Sequence, residues 1–211
     1  YSIAELLAGN FTMTHLSASG GFSVSQMRSA SISAADIKLA FTAGNYTISQ
    51  IKTSYSITEL FVTNGFSITE LSLTGGFNVA QMKAASISAA NIKLAFTAGN
   101  YTISQIKTGG YTLIDTSVSA RGLLQAFSVA ELKNDFSAAD MFNASVSAVS
   151  VRPHYTLSDI INGGYDLVDT SVPGRGLLQA FTIANLKNDF TATQMNTAGV
   201  SIADAKTGTY S

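Results

Sequence analysis

The chain has 211 residues, of which 46% are hydrophobic and 12% are charged, and its formal net charge is −1. This composition can bury a core and is too weakly charged for a disordered tail. The 12 Lys and Arg residues are scattered among 13 acids, so no basic stripe neutralises phosphates and we expect no nucleic-acid partner. The absence of cysteine excludes disulfides, thiolate zinc sites and cysteine nucleophiles. No apolar run approaches the roughly eighteen residues of a membrane-spanning helix, so we predict no membrane span.

A six-residue helix-start signal predicts a series of short helices. In its best example Phe66 stands at N′, the position before the N-cap, and Ser67 is the N-cap residue. Glu70 follows at N3, the third helical position, so Ser67 and Glu70 can form the reciprocal hydrogen bonds of a capping box. Leu71 at N4 can meet Phe66 across the first turn as a hydrophobic staple.

The signal returns about every nine to eleven residues, and such regular recurrence is typical of tandem-repeat proteins. Two further clear copies combine Ser56 and Glu59 with Tyr55 and Leu60, and Ser128 and Glu131 with Phe127 and Leu132. In chain order the other matching units begin at Tyr1, Phe22, Ile32, Phe77, Phe136, Tyr155 and Phe190.

A longer repeat lies above these units. Residues 77–108 nearly copy residues 22–53 at an offset of 55, and residues 163–201 echo residues 109–147 at an offset of 54. The super-repeat is therefore about 55 residues long. It holds six units if short segments such as 41–45 and 111–117 are counted. Six units allow coils of two or of three units.

Each helix is expected to run for about five to eight residues. Glycine pairs precede several N′ aromatics, where they should end the preceding helix in the left-handed conformation. These pairs are Gly20-Gly21, Gly75-Gly76, Gly109-Gly110 and Gly163-Gly164. Isolated helices shorter than about 12–15 residues are marginal in water, so the units must stack on one another.

The predicted fold is all-α, a solenoid of very short capped helices, with residues 1–211 forming a single continuous repeat array. The alternative is a β-solenoid, favoured by β-branched segments such as Tyr46–Ile51. Helices explain the pattern better because the apolar positions break strict alternation. Unit lengths also vary, whereas stacked strands need rungs of constant length.

The consensus aromatic-Ser/Thr-x-x-Glu/Gln-Leu-Lys-x-x-Gly is matched by residues 101–110 and 66–75. This pattern resembles the degenerate decapeptide tandem repeats of large surface or structural proteins from giant viruses, algae and bacteria. The resemblance covers essentially the whole chain, although residues 147–153 and 172–174 depart from the consensus. It implies a structural or adhesive role and carries no active site to this chain.

Acidic side chains recur at N3 and could line a ridge for cations or for paired catalytic carboxylates. These acids are Glu5, Asp36, Glu59, Glu70, Glu131, Asp140 and Asp159. Four other units carry an amide at the same position: Gln26, Gln50, Gln81 and Gln105. An amide also caps a helix but cannot perform acid–base chemistry, so the N3 position is interpreted as structural.

We predict no catalytic, cofactor-binding or metal-binding residue and no cofactor. His15 occupies an N3 position, His154 lies in a predicted loop, and no third ligand is near either one. Gly174-Arg175-Gly176 lacks the Gly-Lys-Ser/Thr of a phosphate loop. Four glycosylation sequons are candidate modification sites if the protein is secreted from a eukaryotic cell. They begin at Asn10, Asn45, Asn100 and Asn143.

The expected function is that of a non-enzymatic structural repeat protein in an extracellular filament, surface layer or virion. The chain begins on an N′ aromatic, Tyr1, and Tyr210-Ser211 fill the first two positions of another unit. We therefore expect end-to-end stacking of copies or continuation into further repeats. The alternative is a solenoid that binds a peptide or glycan, for which Phe61 and Phe142 are the aromatics outside the N′ position.

Overall fold

A computed structural model describes residues 1–62 and 65–207. Tyr210 and Ser211 lie outside the described residues, so the predicted final unit is not tested. The described residues form eighteen α-helices and one 3-10 turn and contain no β-strand. The all-α prediction is therefore confirmed, and the β-solenoid alternative is wrong because segments such as Tyr46–Ile51 form a cap and a helix.

The helices follow one another closely along the chain. The first nine are α1 (Ile3–Ala8), α2 (Met13–Ser17), α3 (Val24–Ser29), α4 (Ala34–Thr42), α5 (Ile48–Ile51), α6 (Ile57–Phe61), α7 (Ile68–Leu71), α8 (Val79–Ala84) and α9 (Ala89–Thr97). After α10 (Ile103–Thr108) comes the 3-10 turn Leu123–Gln125. The remaining helices are α11 (Val129–Leu132), α12 (Ala138–Asn143), α13 (Ala148–Val151), α14 (Leu157–Asn162), α15 (Leu177–Ala180), α16 (Ile183–Leu186), α17 (Ala192–Thr197) and α18 (Ile202–Thr207).

Helix length differs from the expected five to eight residues at both extremes. Six helices have only four residues, whereas α4 and α9 have nine each. Phe41 lies inside α4 because no capping residue precedes it and no glycine interrupts the helix before Gly44. Among the described residues, no helix has the length and apolar character of a membrane span.

Two of the predicted short units are consequently wrong. Residues 41–45 are the end of α4 and the turn that follows it, and residues 111–117 form no helix. The described residues from 22 to 76 contain five helices, α3 to α7, rather than six units. Corresponding helices of the two copies, such as α3 and α8, are therefore five helices apart in the described part of the chain.

The glycine pairs use their two members differently. Gly110 has φ +94°, which ends α10 in the left-handed conformation as predicted. Its neighbour Gly109 has an ordinary φ of −70°, but a Cβ there would lie 2.4 Å from Cγ1 of Val79. Gly109 is therefore required by the close approach of α10 to α8, a reason that the sequence pattern did not indicate.

The chain divides into two compact units, residues 1–126 and residues from 127 onward. Within each compact unit, many helices pack against the helix two positions further along the chain. In the first unit these pairs are α2 with α4, α4 with α6, α7 with α9 and α8 with α10. In the second unit they are α12 with α14, α13 with α15 and α16 with α18. Most N4 side chains and many N1 and N′ side chains supply the core of each compact unit.

Candidate functional site

The predicted capping residues make short reciprocal hydrogen bonds. The Ser67 amide donates to Oε2 of Glu70 at 2.8 Å, and the Glu70 amide donates to Oγ of Ser67 at 3.2 Å. Ser56 and Glu59 make the equivalent bonds at 2.9 and 3.3 Å. Ser128 and Glu131 do so at 2.8 and 3.3 Å. These carboxylates are therefore occupied in holding helix N-termini.

Two of the N3 carboxylates are stabilised further by basic side chains. The Ser56 amide and hydroxyl, followed by Arg28, lower the pKa of Glu59 to about 2. Burial alone would raise the pKa of Glu70, but hydrogen bonds from Lys38 and Ser67 together hold it below its ordinary value. A carboxyl group that stays ionised throughout the neutral range suits a permanent cap rather than a proton-transfer group.

The predicted staple residues are buried. Leu60, Leu71 and Leu132 at N4 are inaccessible to solvent, and the N′ residues Tyr55, Phe66 and Phe127 are each at most 3% exposed. The Phe66 ring also contacts Phe41, with ring centroids 5.3 Å apart. The N′ aromatics therefore pack against more of the protein than their own helix.

Tyrosine at N′ provides a hydrogen bond between units that sequence reasoning missed. The Tyr55 hydroxyl donates to the carbonyl of Ile32 at 2.7 Å, and the Tyr111 hydroxyl donates to that of Ile87 at 2.7 Å. In both cases the acceptor is the N′ residue two units earlier. Tyr46 and Tyr101 donate in the same way to the N′ carbonyls of Phe22 and Phe77, each at 2.5 Å.

The second compact unit, from residue 127 onward, has the same kind of hydrogen bond. The Tyr155 hydroxyl donates to the carbonyl of Phe136 at 2.6 Å, and the Tyr165 hydroxyl to that of Val146 at 2.9 Å. Burial raises the pKa of both hydroxyls to about 12. We refer to the six hydrogen bonds from Tyr46, Tyr55, Tyr101, Tyr111, Tyr155 and Tyr165 as the tyrosine rungs. They appear in the sequence only as a choice of Tyr over Phe at paired N′ positions.

Basic residues at N5, directly after N4, connect units over a longer distance. Nζ of Lys52 donates to the carbonyl of Gly76 at 2.7 Å, and Nζ of Lys93 to that of Ala126 at 2.8 Å. Arg152 donates to the carbonyl of Ala180 at 2.6 Å. Each acceptor immediately precedes an N′ aromatic three units further along the chain. The consensus lysine is therefore an inter-unit contact.

Phe61 and Phe142, the candidate binding aromatics, also occupy N5. The ring of Phe142 packs edge-on against Tyr165, with centroids 5.1 Å apart, and the guanidinium of Arg175 lies 4.5 Å from its centroid. Phe142 thus covers an N′ aromatic where other units place a base. Phe61 is half-buried at the end of α6. Phe61 belongs to the first compact unit and Phe142 to the second.

Two turns with the pattern Asp-x-Ser-x-x-x-Arg replace the capping box. Oδ1 of Asp115 accepts the Ser117 amide at 2.9 Å, and Nε of Arg121 donates to Oδ2 at 2.5 Å. Asp169, Ser171 and Arg175 make the equivalent contacts. The Arg175 and Ser171 hydrogen bonds lower the pKa of Asp169 to about 2. Arg175 is therefore committed to a structural turn rather than to a phosphate loop.

The histidines occupy structural or turn positions. The Thr12 amide donates to Nδ1 of His15 at 3.3 Å, so His15 completes a capping box. The His154 amide donates to the carbonyl of Val151 in the turn after α13. Residues 1–62 and 65–207 contain no cluster of three potential metal ligands.

The four sequon asparagines fall into two kinds. Asn10 and Asn143 are exposed at helix ends. Nδ2 of Asn45 instead donates to the carbonyl of Thr14 at 3.0 Å and to Oγ of Ser17 at 2.9 Å. Asn100 makes the same contacts with Thr69 and Ser72. Asn45 and Asn100 therefore join neighbouring helices through the atom that would carry a glycan.

The fold and these contacts define an all-α protein built from repeated capped helices. Comparisons with protein-family models, with curated proteins and with solved structures found no match to this chain.

Proposed function

We propose that this protein is a non-enzymatic structural protein whose helices stack as a solenoid and form a rod. The observation that carries this proposal is the set of tyrosine rungs. Each rung joins the start of one unit to the start of the unit two earlier. A contact that repeats along the chain with a constant step, here two units, is the basis of an elongated repeat protein.

The commitment of polar side chains to internal contacts supports a structural role. The N3 carboxylates of Glu59, Glu70 and Glu131 hold helix starts, and the N5 bases Lys52 and Lys93 hold backbone carbonyls of later units. These side chains hold the stack together, and their internal contacts occupy the groups that acid–base catalysis would need.

We further propose that the rod extends by end-to-end stacking, either of copies or of further repeats. Tyr1 is fully exposed and Phe11 is 49% exposed, whereas the N′ aromatics Tyr55 and Phe66 are almost completely buried. A unit packed on α1 and α2 would cover Tyr1 and Phe11. Contacts between unlike surfaces propagate into filaments, which suits an extracellular filament, a surface layer or a virion component.

The test is the mass and shape of the protein in solution. Light scattering at rising concentration should show particles heavier than the 22.0 kDa monomer, and small-angle X-ray scattering should show a constant rod cross-section. The Tyr1→Ser, Phe11→Ser double variant should associate less, whereas Tyr55→Phe should associate like the parent. A parent protein that stays monomeric at high concentration would contradict stacking, and a spherical scattering profile would contradict the rod.

A further inference from the structure

A polar cleft lies between α3 and α5 in the first compact unit. Its volume is about 480 Å³, and its walls come from the starts of the two helices, residues 17–21 and the turn at residues 44–46. None of its lining residues is charged. Phe22 and Tyr46, the acceptor and the donor of one tyrosine rung, both line the cleft, whereas Tyr1 and Phe11 do not.

Two glutamine side chains present fixed hydrogen-bond donors in this cleft. Oε1 of Gln26 accepts the Ser23 amide at 2.8 Å, and Oε1 of Gln50 accepts the Thr47 amide at 2.8 Å. Each capping box therefore fixes the oxygen of its glutamine and leaves the amino group as the outward donor. Neither amino group has an acceptor among the described residues, and both side chains are exposed.

Acceptors lie in the same cleft. The hydrogen bonds from Nδ2 of Asn45 to Thr14 and Ser17 orient the side chain, and its Oδ1 receives no donor from the described residues. The hydroxyl of Ser19 is exposed on the same wall. The cleft thus combines donors and acceptors, which is what ligand hydroxyl groups require because each both donates and accepts.

Capping alone does not require glutamine at these positions. Glu59 and Glu70 show that a carboxylate makes the same box. An amide adds a donor that the carboxylate lacks and keeps the cleft neutral. With neither a base nor an acid in its walls, the cleft does not favour phosphate, sulfate or metal ions.

We propose that this cleft binds a neutral oligosaccharide through the amino groups of Gln26 and Gln50 and through Oδ1 of Asn45. Phe22 is half-buried on the cleft wall, and it is the aromatic residue that we propose to pack against the C–H face of a sugar. The cleft is concave, and a small number of placed polar groups is what fixes the orientation of a ligand in such a site. The proposal does not depend on assembly of the rod.

The same set of residues recurs 55 positions later, which supports a common purpose. Nδ2 of Asn100 donates to the carbonyl of Thr69 at 2.9 Å and to Oγ of Ser72 at 2.8 Å. Gln81 and Gln105 hold their oxygens in capping boxes in the same way. The second set differs at Leu73, Thr74 and Asn78, which stand where Ala18, Ser19 and Ser23 stand in the first.

Side-chain amide resonances provide a local test. The ¹⁵N-labelled protein is titrated separately with maltotetraose, cellotetraose and chitotetraose. At least one of the three should shift the NH₂ resonances of Gln26 and Gln50 to saturation while leaving that of Gln194 in α17 unchanged. Absence of a saturable shift with all three oligosaccharides would overturn the proposal. The same shifts caused by an unstructured Ser/Gly peptide would also overturn it.

A matched pair of variants tests the role of the amino groups. Gln26→Glu with Gln50→Glu retains both capping boxes and removes both donors, so affinity measured by calorimetry should fall by about tenfold or more. Gln194→Glu is the same substitution at an N3 position outside the cleft and should bind like the parent. Circular dichroism and thermal unfolding establish that the double variant folds. Unchanged affinity in the folded double variant would refute the proposal.

Discussion

The regular capped units and the two turn segments, residues 111–126 and 165–180, start their helices in different ways. In a capped unit a Ser or Thr hydroxyl and an N3 side chain satisfy the first free amides. In the turn segments the Asp-x-Ser-x-x-x-Arg pattern shapes the loop, and the helical turn after it begins at Gly122 or Gly176 without a side-chain cap. A helical segment of this protein can therefore begin with a capping box or without one.

The contacts between units are kept in both kinds of segment. Tyr111 and Tyr165 still donate to N′ carbonyls two units earlier, and Leu123 and Leu177 are fully buried. Backbone amides also compensate for the missing caps, since the Leu123 amide donates to the carbonyl of Thr112 at 3.0 Å. Burial and the tyrosine rungs therefore define a unit more strictly than its capping box does.

Truncation of a buried leucine should give the largest effect in both kinds of segment. Leu123→Ala in the turn segment and Leu132→Ala in α11 each remove a side chain with no solvent exposure. Each should lower the free energy of unfolding by about 2–5 kcal/mol, because the protein loses apolar burial and gains a cavity. Urea unfolding measures both. A cost below about 1 kcal/mol at Leu123 alone would mean that the turn segment lies outside the cooperative core.

Removal of one tyrosine rung should have an intermediate effect. Tyr111→Phe leaves the buried carbonyl of Ile87 without its hydroxyl donor, which should cost about 1–3 kcal/mol. Tyr1→Phe is the matched control because the Tyr1 side chain is fully exposed. Chemical unfolding of both variants makes the comparison. Equal stability of the two would show that the rungs contribute nothing beyond the packing of their rings.

Protonation of the carboxylates should have the smallest effect on stability, and this effect should appear only at acidic pH. The pKa values of Glu59 and Asp169 are lowered to about 2, whereas free carboxyl groups titrate near about 4. Because the folded-state pKa is lowered, the stabilisation is present above about pH 4 and is lost as the pH falls toward about 2. Urea midpoints measured across this range should therefore fall.

Two substitutions separate the cap from the turn in this acid range. Glu59→Gln keeps a capping side chain, as Gln50 does, and the ion pair with Arg28 that it loses is exposed to solvent, so it should flatten the acid dependence with little change at neutral pH. Asp169→Asn loses its ion pair with Arg175, so it should also lower stability at neutral pH. Identical pH profiles for both variants and the parent would show that neither carboxylate is linked to folding.

Much of the local structure follows from sequence spacing. The Ser67 and Glu70 pattern lies at the start of α7, and the glycine before Tyr111 takes the left-handed conformation. Spacing failed at Phe41, which looks like an N′ residue but lies in α4, because an aromatic without a preceding break does not stop a helix. The inter-unit contacts could not be read from spacing, because a Tyr hydroxyl carries no local sign of its acceptor.

The sequence by itself determined that this protein is all-α and built from short capped helices. Caps and staples act within six consecutive residues, so their chemistry is visible in a local pattern. Only the tertiary structure decided that Tyr hydroxyls reach carbonyls two units earlier, that N5 bases reach three units forward and that Gly109 accommodates Val79. These contacts join residues about twenty or more positions apart, and only the packed chain brings them together.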